Sequence, residues 1–432
     1  MSNVTLSTQP YKGTRDFYPK DMRFRNWFFG KIREALLLSA YEEYNAPMVE
    51  SLDLYIAKSG EEIANEQTYN FTDRGERRLA IRPEMTPSVA RMVAAKMNDL
   101  NMPLKWFSIP NMYRYERPQR GRLREFWQLN VDVFGCDTFE ADMDIIESAI
   151  NVLRVFGADE TMFKVHINNR RFFNDVIASI CQTTDEESKK VSKIVDKRNK
   201  IPREVYEREL SELGINGEQI ARIDALYTMN VKDATALCPD SVGARELSDL
   251  FSLLEETGLD KYCVFDFGII RGLDYYTGTV FEVFDEAPEN NRAMFGGGRY
   301  DNLVGLFVKG AKVSGVGYGM GDVTLENFLL THNLTSSFDE NEDKVLIARF
   351  DDVPYREYIK LAETVRACGV PTGLYLGSKK FGKQIDYAIK EGYTYMVIMG
   401  GSELEASTVK IKNLITREET EIAISELGKF FK

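Results

Sequence analysis

Between residues 114 and 132 the chain reads Arg-Tyr-Glu-Arg-Pro-Gln-Arg-Gly-Arg-Leu-Arg-Glu-Phe-Trp-Gln-Leu-Asn-Val-Asp, and this passage constrains the fold more than any other. Arg114, Arg117, Arg120, Arg122 and Arg124 crowd around Pro118 and Gly121, in a chain whose formal net charge is −12. Apolar runs flank these turn residues on both sides, which predicts two strands joined by a turn. Alternate strand positions share a face, so Arg122 and Arg124 can aim together, as can residues of the facing strand. Guanidinium forks gathered on one spot suit a polyphosphate, because they stay charged and bind bidentately. A solvated charged hairpin would carry the same pattern, so the rest of the chain has to decide.

With 432 residues the chain exceeds one ordinary core, and two or three domains are expected. Its hydrophobic content of 44% is that of folded proteins. No apolar run approaches a bilayer-spanning length, and residues 1–10 lack the apolar core of a signal peptide. Cys136, Cys181, Cys238, Cys263 and Cys368 are scattered without a Cys-x-x-Cys pair, which argues against a zinc site or disulfide framework and fits a reducing cytosol. His166 and His332 are the only histidines, so a Ser-His-Asp or His-metal mechanism has little to work with. The acidic balance disfavours nonspecific polyanion binding but leaves room for a local basic patch.

Helical spacing of Trp27, Phe28, Ile32, Ala35 and Leu36 predicts a helix over 22–41. Strands are expected at 79–82, 105–109, 112–116, 126–134 and 163–168, with a helix over 142–156. From 171 to 259 the chain becomes charged and rich in Glu, Lys and Leu, like an inserted helical domain. Strands resume at 275–284 and 293–297, and a helix over 321–330 closes the unit. Residues 336–344 read as a polar linker. Beyond it, strands at 345–349, 371–376 and 395–399 alternate with helices at 355–368 and 379–391. A hairpin over 407–424 and a short helix follow, predicting a small, largely parallel sheet domain.

Four further passages carry chemistry. Arg82-Pro83-Glu84-Met85-Thr86-Pro87 ends a strand and opens a helix, with Thr86 read as its cap; Glu84 either binds an ammonium group or serves the helix N-terminus. Arg271-Gly272-Leu273-Asp274-Tyr275-Tyr276 groups a cation, an acid and two phenols around a glycine. Gly296-Gly297-Gly298-Arg299-Tyr300-Asp301 allows close backbone approach or a tight turn. Glycines at 315, 317, 319 and 321 suit a strand with one bare face, over which a flat ring could lie. No Gly-Lys-Ser/Thr follows, so this is not a P-loop.

The order of these passages, with Tyr11-Lys12-Gly13-Thr14-Arg15-Asp16 before them, resembles the histidyl-tRNA synthetases, a class II aminoacyl-tRNA synthetase family. The resemblance covers nearly the whole chain. It implies an α+β protein: a class II antiparallel-sheet catalytic domain (1–170 and 260–334) with a helical insertion (171–259), plus a C-terminal α/β anticodon-binding domain (343–432). It implies ATP-dependent ligation of L-histidine to tRNA(His) through a histidyl-adenylate, by a cytoplasmic homodimer without membrane attachment. Mg²⁺ would arrive with ATP, with no protein metal motif. Arg114 and Arg271 would flank the α-phosphate as the catalytic pair. Glu116 and Arg122 would complete the ATP site, at the adenine and the outer phosphates. Glu84, Thr86 and Gln128 would bind the α-ammonium of histidine and Arg271 its carboxylate, with Asp132, Tyr275, Tyr276 and Tyr300 around the imidazole. Gln119 would meet the acceptor end of tRNA, and Lys379, Lys380 and Lys383 belong to a basic stretch of the anticodon-binding domain. The chemistry is chiefly alignment and charge stabilisation as the histidine carboxylate attacks the α-phosphate.

The chain departs from the family pattern at Tyr115 and Trp127, where histidine is common, and at Asp132, where glutamate is usual. The third class II motif usually supplies an arginine for the γ-phosphate; Gly321-Asp322 stands there, an acid expected to repel a triphosphate unless a metal intervenes. A non-catalytic relative, like the synthetase-like regulatory subunit of ATP phosphoribosyltransferase, is the alternative. Such subunits typically lack the C-terminal domain.

Overall fold

The structure, a computed structural model, describes residues 6–57, 67–119, 121–195, 197–198, 201–270, 276–290, 292–338, 343–377 and 379–431. The chain divides into two compact units, Met1–Ser337 and Phe338–Lys432.

The strands of the first unit are β1 (Glu42–Glu43), β2 (Val49–Ser51), β3 (Tyr69–Thr72), β4 (Arg78–Ile81), β5 (Leu104–Ser108) and β6 (Asn111–Tyr113). They continue with β7 (Glu125–Phe134), β8 (Phe163–Asn169), β9 (Cys263–Phe265), β10 (Thr279–Asp285), β11 (Ala293–Arg299) and β12 (Gly315–Gly321). The main sheet has the order β1-β5-β7-β12-β11-β10-β8-β9, and β2-β4-β3 form a separate small sheet. Pairing is antiparallel through the centre and parallel only at the two edges, β1 with β5 and β8 with β9. β7 is long enough for two neighbours on one side: β5 pairs its inner half and β6 its outer end.

Strand alternation decides which face becomes functional. Leu129, Val131 and Val133 of β7, with Val316, Tyr318 and Met320 of β12, enter the main core beside the helices Pro19–Leu38 and Phe139–Arg154. Ile145, Ile146, Ala149, Ile150, Val152 and Leu153 of the second helix are fully buried there. The opposite face of the same strands therefore carries Phe126, Gln128, Asn130 and Asp132 on β7 and only glycines on β12.

The helices Arg170–Cys181, Asp185–Val195, Arg203–Glu212, Gly217–Leu226 and Val242–Thr257 fill the interval read as an insertion. Phe172, Val176, Leu247 and Leu250 join the same core as the sheet, so these helices lie inside the first compact unit.

In the second unit the strands β13 (Val345–Ile347), β14 (Thr372–Leu374), β15 (Tyr395–Ile398), β16 (Thr408–Asn413) and β17 (Glu419–Ala423) have the order β14-β13-β15-β16-β17. The first three are parallel and the hairpin adds two antiparallel strands. Helices Tyr355–Arg366 and Phe381–Lys390 make the crossovers. Among the described residues no helix is long and apolar enough to cross a membrane.

Several sequence expectations need correction. The first helix begins at Pro19, not at 22, because proline is preorganised for a first turn. The strand expected over 112–116 stops at Tyr113, since the next residues turn into the arginine-rich loop. Thr86 is not a cap: Met85 holds the N-cap position with helical φ −101 and ψ −28, and Thr86 is already the first helical residue.

Candidate active site

The site is assembled around the outer end of β7. Arg82, the residue after β4, is buried and donates from Nε to the Asn111 carbonyl (2.8 Å) and from Nη1 to that of Ala46 (2.7 Å). These bonds fix the backbone of Pro83 and Glu84. Arg114 then donates from Nε to the Pro83 carbonyl at 2.9 Å, and its Cζ lies 5.2 Å from the Phe126 ring centroid. Its two Nη atoms have no protein partner among the described residues and face a cavity of about 140 Å³. Glu116, Arg122, Phe126, Gln128, Gly319 and Thr324 also line that cavity.

The arginine-rich loop divides its cations. Arg122 is exposed and pairs with Glu116 at 3.1 Å on the cavity wall. Arg124 turns away, donating from Nε to the Glu116 carbonyl (3.0 Å) and from Nη1 to the Tyr11 hydroxyl (2.6 Å). The two do not share a face, because β7 starts only at Glu125 and both residues belong to the loop. Gly13 makes this arrangement possible. Its carbonyl accepts from the backbone of Arg124 and Glu125, its φ is +89, and a Cβ would stand 2.9 Å from both Arg124 Cγ and Pro118 Cγ. Gln119 forms a bridge with Arg122 at the loop tip and is exposed.

Further inward the bare face of β12 is occupied by side chains of its neighbours. A Cβ on Gly319 would lie 2.9 Å from Gln128 Nε2, and one on Gly317 would lie 2.5 Å from Asp132 Oδ1 and 3.0 Å from the Tyr300 hydroxyl. Asp132 is 3% exposed and accepts a short hydrogen bond from the Tyr300 hydroxyl. The Tyr44 hydroxyl lies 3.5 Å from its other oxygen. Burial, reinforced by the Asp132 carboxylate, raises the Tyr44 phenol well above its ordinary range, so it stays a donor. Tyr44 had no sequence signal, since it follows a two-residue strand outside every motif. Tyr276 lies beside this group, with Cδ1 3.1 Å from where a Gly298 Cβ would stand.

The glycine-rich Arg299-Tyr300-Asp301 passage splits its roles. Arg299, 2% exposed, pairs with Asp142 of the helix Phe139–Arg154 at 2.7 Å. Asp301 pairs with Arg171 at 3.1 Å and accepts from Thr277 at 2.6 Å. Only Tyr300 turns to the site.

Asp322 does not meet a phosphate as an unpaired anion. Its Oδ2 accepts from Arg15 Nη2 at 2.7 Å and its Oδ1 from the backbone N–H of Trp127 at 3.1 Å. Glu84 and Thr86 are half-buried at the opening of their helix. Arg271 and Tyr275 lie outside the described residues. His166 and His332 are held by Asp266 and Asp285, each at 2.8 Å, and neither lines the cavity at Arg114. Among the described residues no group of three His, Cys, Asp or Glu could hold a metal ion.

In the second unit Lys379, Lys380 and Lys383 are exposed around the start of the helix Phe381–Lys390. Buried Gln384 pins that segment, donating to the carbonyls of Arg349 (2.7 Å) and Lys379 (3.0 Å) and accepting from the Arg349 N–H (2.9 Å).

Residues 13–323 match the family described as histidyl-tRNA synthetase, and residues 344–432 match the anticodon binding domain. A histidine–tRNA ligase of Leptospira biflexa is 43% identical over 99% of this chain and 98% of its own length. That of Halobacterium salinarum is 35% identical, over 96% and 95%. A crystal structure of histidyl-tRNA synthetase from Nostoc superposes with a TM-score of 0.81 at 26% identity, covering 99% of each chain. On this full-length similarity, and with the catalytic-type sheet and anticodon-type module both present, the chain belongs to the histidyl-tRNA synthetase family.

Proposed function

We propose that this chain activates L-histidine with ATP and transfers it to tRNA(His), releasing pyrophosphate and AMP. The observation that carries this reading is the row Phe126, Gln128 and Asp132 along one face of β7, opposite the glycines of β12 and continuous with Arg114.

Arg114 offers its two Nη atoms, without a partner among the described residues, to the α-phosphate, while Phe126 gives a ring face for adenine. Glu116 serves the adenine side, and Arg122 the outer phosphates. Gln128 with Glu84, and Thr86 beside them, receives the α-ammonium. Asp132, kept in place by Tyr300 and Tyr44, accepts the imidazole N–H, with Tyr276 as a wall. Arg271 is assigned, by the family resemblance alone, to the α-phosphate and the histidine carboxylate, and Tyr275 to the imidazole side. These groups hold the histidine carboxylate in line with the α-phosphate; attack forms the mixed anhydride and expels pyrophosphate. A ribose hydroxyl at the tRNA end then attacks the activated carbonyl and AMP leaves. Each step is served by alignment and fixed positive charge, which needs no perturbed acid or base.

Mg²⁺ enters on the ATP phosphates, where one or two protein oxygens suffice. When bound, it would neutralise charge on the departing pyrophosphate. Gln119 at the loop tip would meet the acceptor end, and Lys379, Lys380 and Lys383 the anticodon arm. The helical interval 171–259 is read as an insertion toward the acceptor arm, between catalytic segments 1–170 and 260–334, with 343–432 as the anticodon-binding domain. Two copies are expected to pair, supported by exposed Val49 and Phe71 in the small β2-β4-β3 sheet. The cytoplasm is the compartment this reading implies. A regulatory relative has no use for an anticodon-type module, and the match at residues 344–432 leaves that alternative unsupported.

The test is charging of tRNA(His) transcript with labelled histidine by the purified chain in Mg²⁺ and ATP. Charging with histidine and no other amino acid supports the reading; no charging contradicts it.

A further inference from the structure

We propose that Arg292 is a second cation, beside Arg122, that grips the outer phosphates of ATP, in place of the arginine that the third class II motif ordinarily supplies. The inference rests on the synthetase reading above.

The third motif has no cation to offer here. Asp322 stands at its start with its carboxylate committed to Arg15 and to the Trp127 N–H, and Val323 and Thr324 follow. A second cavity, of about 460 Å³, opens beside the one at Arg114. The two share Gly121, Met294 and Thr324 in their walls, so they adjoin across these three residues. Arg114 and Arg122 line the first, and Arg292 lines the second.

The backbone explains why residue 292 reaches this place. β11 pairs with β12 through Phe295↔Met320, so the start of β11 lies against the start of the helix Asp322–Thr331. Thr324 Oγ1 donates to the Met294 carbonyl at 3.0 Å and clamps the two together. Arg292 stands two residues before that carbonyl, in the wall of the second cavity next to the position a third-motif arginine would occupy.

Its side chain is also available. Arg292 is exposed, and among the described residues its guanidinium has no hydrogen bond or ion pair. The acids in the same wall do not compete. Asp285 is tied to Asn290 (2.6 Å) and His332 (2.8 Å), and Glu289 is exposed at the rim, where water screens it. Free arginines are common on surfaces; this one lines a cavity that adjoins another presenting two more. A guanidinium there can take two phosphate oxygens at once and stabilise charge on the leaving pyrophosphate.

The test compares wild type, Arg292→Ala and Arg292→Lys for equilibrium binding of ATP and of AMP in Mg²⁺, and for histidine-dependent ATP–pyrophosphate exchange. Arg292→Ala should weaken ATP binding and raise the KM for pyrophosphate roughly tenfold or more, with partial recovery in Arg292→Lys. AMP affinity and the KM for histidine should stay at wild-type values, which a merely structural lesion would not spare. Unchanged ATP binding, or an equal loss for AMP, overturns the inference while wild-type exchange keeps the synthetase reading intact. A wild-type chain that neither binds ATP nor exchanges pyrophosphate overturns both.

Discussion

Arg15 and Asp322, 307 residues apart in sequence, meet through a 2.7 Å charged hydrogen bond under the outer end of β7. The second Asp322 oxygen accepts the Trp127 N–H, just past Gln128↔Gly321 where the β7–β12 ladder ends. The carboxylate thus extends the ladder by one hydrogen bond and fixes Phe126 and Gln128 on either side of Trp127. Arg25, whose Cζ lies 3.2 Å from the Trp127 ring centroid, packs against the same corner, and burial lowers it to about 10.

Removing this acid should therefore destabilise the unit instead of relieving repulsion of ATP. Asp322→Ala is expected to cost about 2–3 kcal/mol in urea unfolding, since it leaves Arg15 only the longer 3.8 Å pair with Glu326 and frees a backbone donor. Asp322→Asn keeps an acceptor for Trp127 and should cost less. Asp322→Arg sets a third guanidinium beside Arg15 and Arg25 and should lower the Tm without improving the KM for ATP.

The two well-placed loop arginines should separate kinetically. Arg114→Ala is expected to reduce kcat for pyrophosphate exchange by roughly 10²–10³, the scale for losing one preorganised charge stabiliser. Arg124→Ala loses the loop's attachment to Glu116, Tyr11 and the Tyr115 ring, none of them in the cavity at Arg114 except Glu116, so a smaller loss, mainly in KM for ATP, is expected. Equal effects on kcat would contradict the division seen in the loop.

Asp132→Asn should raise the KM for histidine on the order of 10²-fold or more, leaving that for ATP unchanged, because a donor amide then faces the imidazole N–H. Tyr44→Phe should give a milder rise. Steady-state exchange at varied histidine decides both.

The β12 glycines offer a graded test. A Cβ at 319 meets the end of the flexible Gln128 side chain, so Gly319→Ala should fold yet bind histidine poorly. A Cβ at 317 would stand 2.4 Å from the Val131 carbonyl, and Gly317→Ala should lose stability outright. Thermal melts beside histidine titrations separate the two.

Lys380→Glu places an acid in the exposed basic segment before the helix Phe381–Lys390. Aminoacylation should fall roughly tenfold in kcat/KM for tRNA while exchange is unaffected, because only tRNA contacts are lost. Equal losses in both assays would contradict an anticodon role for this segment.

Much of this architecture was legible because periodicity reports burial directly. The alternation of glycines from 315 to 321 gave a strand with a bare face, and apolar spacing gave the buried helix Phe139–Arg154. Side-chain direction in loops was not legible. Arg122 and Arg124 have strand-like spacing yet diverge, because their backbone is held by Gly13 and Glu116 and not by a ladder. Asp322 looked hostile to phosphate because its partner, Arg15, lies far away in sequence. Tyr44 escaped for the same reason: only the β1–β5 pairing brings it beside Asp132.

On this reading the sheet face selects histidine and joins it to the α-phosphate. The most direct test is ATP–pyrophosphate exchange by the purified chain in Mg²⁺, run with each amino acid in turn. Exchange is expected with histidine, lowered roughly 10²–10³-fold in Arg114→Ala, and with none of the others. Exchange that is absent with histidine, or equally strong with a side chain lacking an N–H for Asp132, would contradict it.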